Sequence, residues 1–571
     1  MTMKFELLPN EIFIECFQYL NAADVFYSFD RLNYRFYTLI RTIPLRLNFE
    51  EFKKSKFNQF CQIILSDSEL KHQIISLKLS NKGTRGQIKE FLSLFPLNEF
   101  INLRSLSLID LKEENVEQLK PMLALISNLY YFSYTNSEHK TSAILSELSK
   151  SKLRILSIRE FQYSTFILKE MSITALTISY CACYQLLGIF QYALTLKYLK
   201  IEHLANYAYG NGPSKLSTGN AVRLNQLIIN DCKADFEMIE QWLKHTPNLT
   251  IFTIKAVNCV NMINADRWQN LIESSLLHLR VFNFYFSLSY YSDSYNNVLN
   301  KLQQFQTNFW SKQHHWHTNY EHNERSASIH TMPYVWNEYR LLTSFNNYGN
   351  LNGFDKVTKL TLSQMTIKDN SPYYFNNVKS LELINENHFD TYPDEYMLQK
   401  EQIKFLNKIV NLSNIKYLKI PAPSYKLFSS SLLLEILKEL PYVSSLEIDK
   451  DSLTLCVKDR ELRKYLNTKI TTLYLYNYSP YGDYIKSDEV DLLPETFSNL
   501  EQLHCNIGSS VGLSLIVKNF SKLSIINSTT ISEEVHSWIQ ENASKLNVYI
   551  NFYEIYNDDD DDEHLYDELD L

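Results

Sequence analysis

Glycine and long apolar runs are the two features that this sequence of 571 residues has least of. Its 11 Gly make up about 2% of the chain where roughly 7% is average, so few loops can bring backbone N–H groups around a phosphate. No stretch reaches the roughly 18 apolar residues that cross a bilayer, and residues 1–6 contain no apolar core of a secretion signal. The sequence therefore disfavours nucleotide-binding enzymes, secreted proteins and membrane-spanning proteins.

Cysteines are few and dispersed. The 8 Cys include no CxxC pair, which is typical of reduced and mostly buried thiols, and we predict a cytoplasmic or nuclear protein. The sequence also lacks the GxSxG, GxxxxGK[ST] and GxGxxG motifs of nucleophile elbows and phosphate loops. We therefore predict no enzyme activity, no catalytic residue and no cofactor.

Charge is nearly balanced except at the carboxyl end. The 56 Lys+Arg and 64 Asp+Glu give a net charge of −8, yet the last fourteen residues, Asp558 to Leu571, hold nine acidic groups and no Lys or Arg. The rest of the chain carries about +1, too little to attract nucleic acid or an anionic membrane. We predict that residues 554–571 are a disordered acidic tail, with a docking or solubility role as the alternative.

A short phrase, apolar-x-x-apolar-x-apolar, recurs along most of the chain. Clear copies begin at Leu103, Leu153 and Leu196, and nine successive starts from residue 74 to residue 279 lie about 26 residues apart. The phrase resumes at Val357 and Val378 and continues to Leu500. In its second half every other residue is apolar, which is typical of a strand with one buried face. The residues between successive copies suit a helix of two or three turns.

This spacing resembles that of the leucine-rich repeats. The resemblance implies an α/β solenoid, with a parallel sheet on its concave face and helices outside. We assign residues 51–284 and 357–553 to two parts of it, and residues 285–356 to an insertion with a β-hairpin. The family's Asn or Cys eight positions after the first Leu is present as Cys181 and Cys232 but absent from most copies, so we expect irregular coils.

The insertion holds the densest set of potential metal ligands. His314, His315, His317 and His322 lie within nine residues, and His315 and His317 would share one face of a strand. Zinc binding is one interpretation. The finger and HExxH spacings are missing, however, so we predict no metal site and favour a polar hairpin flanked by aromatic residues.

Residues 4–50 do not contain the repeat and are predicted to form three short helices. The first has Ile12, Phe13, Cys16, Phe17 and Leu20 on one face. A piece this small and this apolar cannot bury all its large side chains internally. A partner is therefore expected to cover some of them.

These residues resemble an F-box. The family's Leu-Pro-x-Glu opening corresponds to Leu8-Pro9-Asn10-Glu11, its Asp-apolar step to Asp24-Val25, and the Trp usual in its third helix is replaced by Phe36. The resemblance implies docking to the Skp-type adaptor of a cullin-RING (SCF-type) ubiquitin ligase. The adaptor contacts that it implies are Leu8, Pro9, Ile12, Phe17, Leu20, Val25 and Phe36.

We therefore predict a substrate-recognition subunit of such a ligase, with the solenoid binding a protein substrate and with neither nucleic acid nor membrane as a partner. The alternative is a leucine-rich-repeat scaffold whose first helices only cap the solenoid. Side chains at the third and fifth positions of each phrase are expected on the concave face. The candidate substrate contacts are Tyr198, Lys200, Gln226, Ile228, Tyr417, Lys419, Thr472 and Tyr474.

Overall fold

A computed structural model describes residues 6–556 with gaps, the larger of them at residues 161–167, 207–219, 343–352, 385–397, 421–428 and 477–492. The chain forms two compact units. One contains residues 1–320 and 324–331, and the other contains residues 321–323 and 332–571. Each unit is built on its own β-sheet, of twelve and nine strands respectively.

Three short helices open the first unit: α1 Asn10–Phe17, α2 Ala22–Phe29 and α3 Tyr34–Ile40. Asparagines begin two of them, since Asn21 accepts the N–H of Ala23 and Asn33 accepts the N–H of Phe36 at 3.0 Å. The helical module predicted to extend to residue 50 is shorter in the structure. Residues 45–48 instead form the first strand of the sheet, because Leu45 and Leu47 alternate with polar residues and are buried.

The sheet of the first unit is parallel through ten consecutive strands, and its eleventh and twelfth strands lie beyond the tenth in the order β10-β12-β11. Its strands are β1 Leu45–Asn48, β2 Ile74–Ser80, β3 Ser105–Leu111, β4 Tyr131–Asn136, β5 Ile155–Ile158, β6 Ala175–Ala182, β7 Tyr198–Ala205, β8 Gln226–Cys232, β9 Ile251–Val257, β10 Val281–Ser289, β11 His317–His322 and β12 Ser326–Met332.

Helices occupy most of the connections between these strands. They are α4 Lys54–Ser66, α5 Ser68–Gln73, α6 Gln87–Leu94, α7 Glu113–Leu123, α8 Thr141–Leu148, α9 Cys183–Tyr192, α10 Phe236–Lys244, α11 Ala265–Ser275 and α12 Tyr295–Gln303. In α10 the buried residues Phe236, Ile239, Trp242 and Leu243 share the face that the sequence pattern predicts.

The core follows the repeated phrase. Its fourth and sixth residues are fully buried, as at Leu106 and Leu108 in β3. The third and fifth residues are half-buried on the other side of the strand, which we call the open face of the sheet. The predicted α/β class and the predicted parallel sheet are confirmed.

The end of the first sheet differs from the boundaries expected for the insertion. β10 continues to Ser289, past the predicted start at residue 285, and pairs with β9 from Val281 to Ser287. On its other side β12 pairs with it antiparallel, and β11 lies beside β12. The extension arises because Phe282, Phe284, Phe286 and Leu288 keep the strand period and are all buried.

The sheet of the second unit is parallel throughout, in sequential order. Its strands are β13 Glu338–Leu341, β14 Lys359–Ser363, β15 Ser380–Ile384, β16 Tyr417–Ile420, β17 Ser445–Asp449, β18 Thr472–Tyr476, β19 Gln502–His504, β20 Ile525–Ser532 and β21 Tyr549–Tyr556. The helices are α13 Lys400–Ile403, α14 Leu406–Ile409, α15 Ser430–Glu439, α16 Arg460–Lys469, α17 Leu493–Thr496, α18 Ser510–Asn519 and α19 Glu533–Asn542.

Candidate functional site

The three N-terminal helices have an aromatic core. Phe36 of α3 is fully buried, with its ring 4.8 Å from that of Phe13 in an edge-on arrangement and 5.4 Å from that of Phe29. Phe17 is 4% exposed and also packs against these rings, and Val25 is fully buried. Buried side chains cannot form a surface for a partner. The prediction of Phe17, Val25 and Phe36 as adaptor contacts is therefore corrected: Phe17 packs against Phe36 between α1 and α3, and Val25 of α2 lies in the same core.

The opposite side of α1 is apolar and exposed. Ile12 is 45% exposed, Leu20 is 41% exposed, and Cys16 between them is exposed as well. Ile12 and Cys16 lie four apart and share a face of α1, whereas Leu20 and Tyr19, which is 85% exposed, lie in the turn that follows the helix. Of the predicted contacts, Ile12 and Leu20 thus lie on the surface. Tyr19 was not predicted, although its position seven residues after Ile12 could have identified it.

Leu8 and Pro9 lie where the chain enters α1. Pro9 is exposed, and its carbonyl accepts the N–H of Ile12 at 3.2 Å, while Leu8 is half-buried against the core. Arg35 of α3 holds this entry in place: its guanidinium donates to the Leu8 carbonyl at 2.6 Å and to Asn10 Oδ1 at 2.8 Å. The start of α1 is therefore fixed relative to α3.

Two further exposed apolar side chains lie near the start of α3. Leu32 in the turn before it is 52% exposed and Tyr34 at its first position is 83% exposed. We use the name N-terminal apolar surface for the exposed side chains of Ile12, Tyr19, Leu20, Leu32 and Tyr34. The sequence analysis did not identify Leu32 and Tyr34 as surface residues. Leu32 lies two residues before the start of α3.

The candidate substrate residues of the first unit all lie on the open face. Tyr198 and Lys200 of β7 pair in register with Gln226 and Ile228 of β8, and all four are half-buried. Lys200 forms an ion pair with Glu202 at 2.5 Å. All four side chains thus lie on the side of the strands that is opposite the buried phrase residues, and their role as substrate contacts stays a prediction.

A polar group at the carboxyl ends of neighbouring strands of the first unit was not predicted. The imidazole of His203 stacks on Tyr180 with ring centroids 4.9 Å apart, and its Nδ1 lies 3.3 Å from Asp231 Oδ2. The phrase ends before these positions, so the repeat pattern carried no information about them.

Two of the four candidate residues of the second unit, Lys419 and Tyr474, belong to a connected row across its open face. Glu382, Lys419, Glu447, Tyr474 and His504 are each the register partner of the next, on five consecutive strands, and we call them the β15–β19 row. Lys419 Nζ lies 3.4 Å from Glu382 Oε1 and 3.2 Å from Glu447 Oε1. The Tyr474 ring stacks on His504 with centroids 3.8 Å apart.

The other two predicted residues flank this row. Tyr417 packs edge-on against Tyr474 with centroids 5.4 Å apart, and Thr472 is half-buried on the same face. The sequence therefore identified the face of the sheet and two of the five residues of the row. It did not identify Glu382, Glu447 or His504, since charged residues at outward strand positions are usually solvated and gave no distinguishing signal.

Electrostatics within the β15–β19 row are unusual for a surface. Burial, and then repulsion from Glu382, raises the pKa of Glu447 to about 7, even though Lys419 is shared between the two carboxylates. Burial lowers the pKa of His504 to about 4, so this imidazole is neutral at pH 7. At neutral pH the row combines one cation and two carboxylates, one of them partly protonated, with an aromatic stack.

The histidines of the insertion do not form a shared ligand set. His314 stacks on Trp316 with centroids 4.2 Å apart, and His315 precedes β11 rather than alternating with His317 along it. The expectation of these two imidazoles on one strand face is corrected, since His315 has a φ of 56° and interrupts the extended backbone. Across the described part of the chain, no three His, Cys, Asp or Glu side chains are grouped closely enough to hold a metal ion.

The buried cysteine thiols that the structure describes are unsuited to nucleophilic chemistry. Burial raises the pKa of Cys183 and of Cys505 to about 12, and that of Cys181 is also raised by burial. A thiol in this range carries almost no thiolate at neutral pH. Cys181 and Cys183 therefore contribute packing rather than reactivity.

Comparison with known proteins finds only distantly similar solved structures. Neither a protein-family profile nor a curated protein matches the chain. Among solved structures it is similar to the complex of TLR13 with ssRNA13, at 11% identity over 81% of this chain and 63% of that one, with a TM-score of 0.23. This chain thus spans less than two thirds of TLR13.

Two further structures show similarly low values. The complex of Rad7 and Elc1 in yeast gives 10% identity over 85% of this chain and 86% of that chain, with a TM-score of 0.22. An internalin (inlF) from Listeria monocytogenes gives 12% identity over 75% and 82%, with a TM-score of 0.18. The leucine-rich-repeat-like architecture of this chain rests on its own strand order, register and buried phrase.

None of the helices that the structure describes is long and apolar enough to cross a bilayer.

Proposed function

We propose that this protein is the substrate-recognition subunit of an SCF-type ubiquitin ligase. In this proposal the N-terminal helices dock on a Skp-type adaptor, and through it on a cullin. The solenoid presents its open faces to a protein substrate. The subunit contributes no catalytic group of its own.

The observation that carries the proposal is the N-terminal apolar surface. An apolar side chain left in water forgoes about 1.5–3 kcal/mol that burial would supply. Ile12, Leu20 and Leu32 are each more than 40% exposed, although Phe13, Phe17 and Phe36 of the same module are buried. Concentration of exposed apolar residues in one short segment is typical of a protein-binding surface. The segment that resembles an F-box contains that surface.

The alternative, a scaffold whose first helices only cap the solenoid, accounts for part of the structure. Phe26 of α2 packs edge-on against Phe60 of α4, with centroids 5.8 Å apart, so the module does cover the beginning of the first unit. A cap, however, would turn its apolar residues inward and leave a polar outer face. The exposure of Ile12 and Tyr19 favours an adaptor on that side.

The open faces suit a protein substrate. Interface centres are rich in aromatic residues and in charges that are partly removed from water. Tyr417, Tyr474 and the half-buried charges of the β15–β19 row provide both.

Co-precipitation of a Skp-type adaptor with the full-length protein tests the adaptor contact. The double variant Ile12→Asp with Leu20→Asp places two carboxylates on the N-terminal apolar surface, and we expect at least a hundredfold loss of affinity, about 3 kcal/mol. Phe17 is avoided because an Asp at this buried position would unfold the module.

A matched control places the same charges elsewhere. Leu277 and Val511 are 75% and 59% exposed, and the variant Leu277→Asp with Val511→Asp should bind the adaptor like the parent protein. Unchanged amide hydrogen exchange in α1–α3 confirms that the first variant is folded. Absence of binding by the parent protein would favour the scaffold, and retained binding by the Ile12/Leu20 variant would dismiss the assigned surface.

A further inference from the structure

An open groove of about 1000 Å³ lies along the amino-terminal edge of the second sheet. Three lysines line it: Lys356, Lys379 and Lys416, all exposed. Of the described residues that line the groove, Asp355 carries the one carboxylate. The groove therefore has a net charge of about +2 before any ligand is considered.

The backbone brings two of these cations together. Lys379 and Lys416 occupy equivalent positions just before β15 and β16, and the Lys416 N–H donates to the Lys379 carbonyl at 2.9 Å. Neighbouring strands lie about 4.8 Å apart, and like charges placed directly opposite each other are destabilising. Within the described part of the chain, none of the three lysines forms an ion pair. The three lysines thus form a cluster of positive charges without an ion-pair partner among the described residues.

Hydroxyl and amide groups share the groove with the lysines. Thr358, Ser413 and Ser444 provide hydroxyls, and Asn377 and Asn414 provide amides. Lysine ammonium groups and hydroxyl groups are donors suited to carboxylate oxygens. The length of the groove, across the starts of several strands, suits an extended polyanionic peptide.

The same chain contains such a peptide. Residues 558–571 hold nine acidic groups and no Lys or Arg, and they follow β21 of the same unit directly. The last three acids, Asp567, Glu568 and Asp570, match the three lysines in number.

The C-terminal residues are long enough to reach from the end of β21 to the lysine groove. From β21 to β16 there are five strand spacings, and with the length of β21 itself the end of β21 and Lys416 are about 35 Å apart. Asp567 and Asp570 lie 11 and 14 residues beyond Tyr556, which gives reaches of about 36 to 48 Å in an extended chain. The acids at 558–563 are too close to β21 to reach Lys416. A highly charged segment is also extended by its own repulsion.

We propose that the acidic C-terminus of this chain docks in the lysine groove, with Asp567, Glu568 and Asp570 beside Lys356, Lys379 and Lys416. The contact covers one edge of the second sheet and limits access of other polyanions to it. This inference does not depend on the proposed adaptor binding.

Lysine acylation footprinting of the full-length protein tests the contact. A lysine engaged by a carboxylate reacts slowly with an acylating reagent, and its reactivity is read for each residue by mass spectrometry. In the distal variant, Asp567→Asn with Glu568→Gln and Asp570→Asn, we expect the three groove lysines to react about threefold faster or more, because the tethered acids act at a high effective concentration.

Two internal controls accompany this experiment. A proximal variant, Asp559→Asn with Asp560→Asn and Asp561→Asn, removes the same charge from the part of the tail that cannot reach, and should leave the groove lysines protected. Lys404, Lys464 and Lys518 are exposed elsewhere in the same unit and should react equally in all proteins. Equal reactivity of the groove lysines in the parent protein and both variants would overturn the proposal, as would equal effects of the two variants.

Zero-length carbodiimide cross-linking identifies the occupant. In a mixture of isotopically light and heavy full-length protein, we expect links between the distal acids and the groove lysines within one chain, and their loss at 1 M salt, where screening acts over about 3 Å. Mixed light–heavy links in the proportion expected for random pairing of chains would assign the groove to a second copy. Absence of such links, with binding of an added phosphopeptide in the groove, would assign it to a partner. Either result refutes docking in cis.

Discussion

Glu447 provides the sharpest test of the electrostatics on the second sheet. Its side chain is 19% exposed, and its pKa is raised to about 7 from an ordinary value near 4.5 by burial and by Glu382. The folded protein therefore holds this proton more tightly than the unfolded chain does. Stability must fall as the pH rises from about 4.5 to 7, and a shift of this size corresponds to about 3 kcal/mol.

The variant Glu447→Gln keeps the shape of the protonated side chain but cannot ionise. Relative to the parent protein it should be close to neutral at pH 4.5 and should gain up to about 3 kcal/mol at pH 8. The measurement is urea-dependent hydrogen exchange of peptides that contain β17, at a series of pH values. This readout isolates the second unit, as the chain as a whole need not unfold in one step.

The comparison is a difference between two proteins at each pH, so contributions from other titrating groups cancel. Glu439→Gln, on the exposed side of α15, serves as a matched control and should leave the pH dependence unchanged. A pH-independent difference between the parent and Glu447→Gln would refute the reasoning. So would a loss of stability in Glu447→Gln at high pH, because it would mean that Lys419 dominates and lowers the pKa of Glu447.

Three further predictions concern His504 and the N-terminal module. His504→Gln should show the opposite dependence, gaining up to about 3 kcal/mol as the pH falls from 6.5 to 4 in the same assay, since the folded protein resists protonation of an imidazole with a pKa of about 4. Phe36→Ala should destabilise α1–α3 by about 3–5 kcal/mol in hydrogen exchange, whereas Phe36→Leu should retain adaptor affinity if the ring is a core residue only. Arg35→Met should cost about 1–2 kcal/mol and speed proteolysis before α1, because it removes the hydrogen bonds to Leu8 and Asn10; an unchanged cleavage rate would show that they are dispensable.

The repeated phrase was enough to predict most strands because burial of alternate side chains is a local property of the chain. The strands that it missed are those in which the phrase is altered. β13 uses aromatic residues in Trp336-Asn-Glu-Tyr339-Arg-Leu341, and Tyr339 and Leu341 are buried as aliphatic residues would be. In β20 the sixth position is Ser528, which is 1% exposed. A search restricted to aliphatic residues could not find them.

The division of α1 between core and surface could not be predicted from its sequence. Ile12, Phe13, Cys16 and Phe17 are all apolar, so helical periodicity gives one broad face rather than two. Only the packing against α3 decides that Phe13 and Phe17 turn inward. The β15–β19 row was equally hidden, because its members are 20 to 40 residues apart and meet only through the register of the strands.

The antiparallel turn of the first sheet at β12 has a consequence for fragments of this protein. With β11 and β12 in place, the ladder of β10 is paired on both sides. A fragment ending at residue 316 would expose the N–H and C=O groups of a nine-residue strand, Val281–Ser289, that carries three phenylalanines. Such an edge is a template for intermolecular pairing and aggregation. Any shortened form of the first unit that is meant to stay monomeric should therefore extend through Met332.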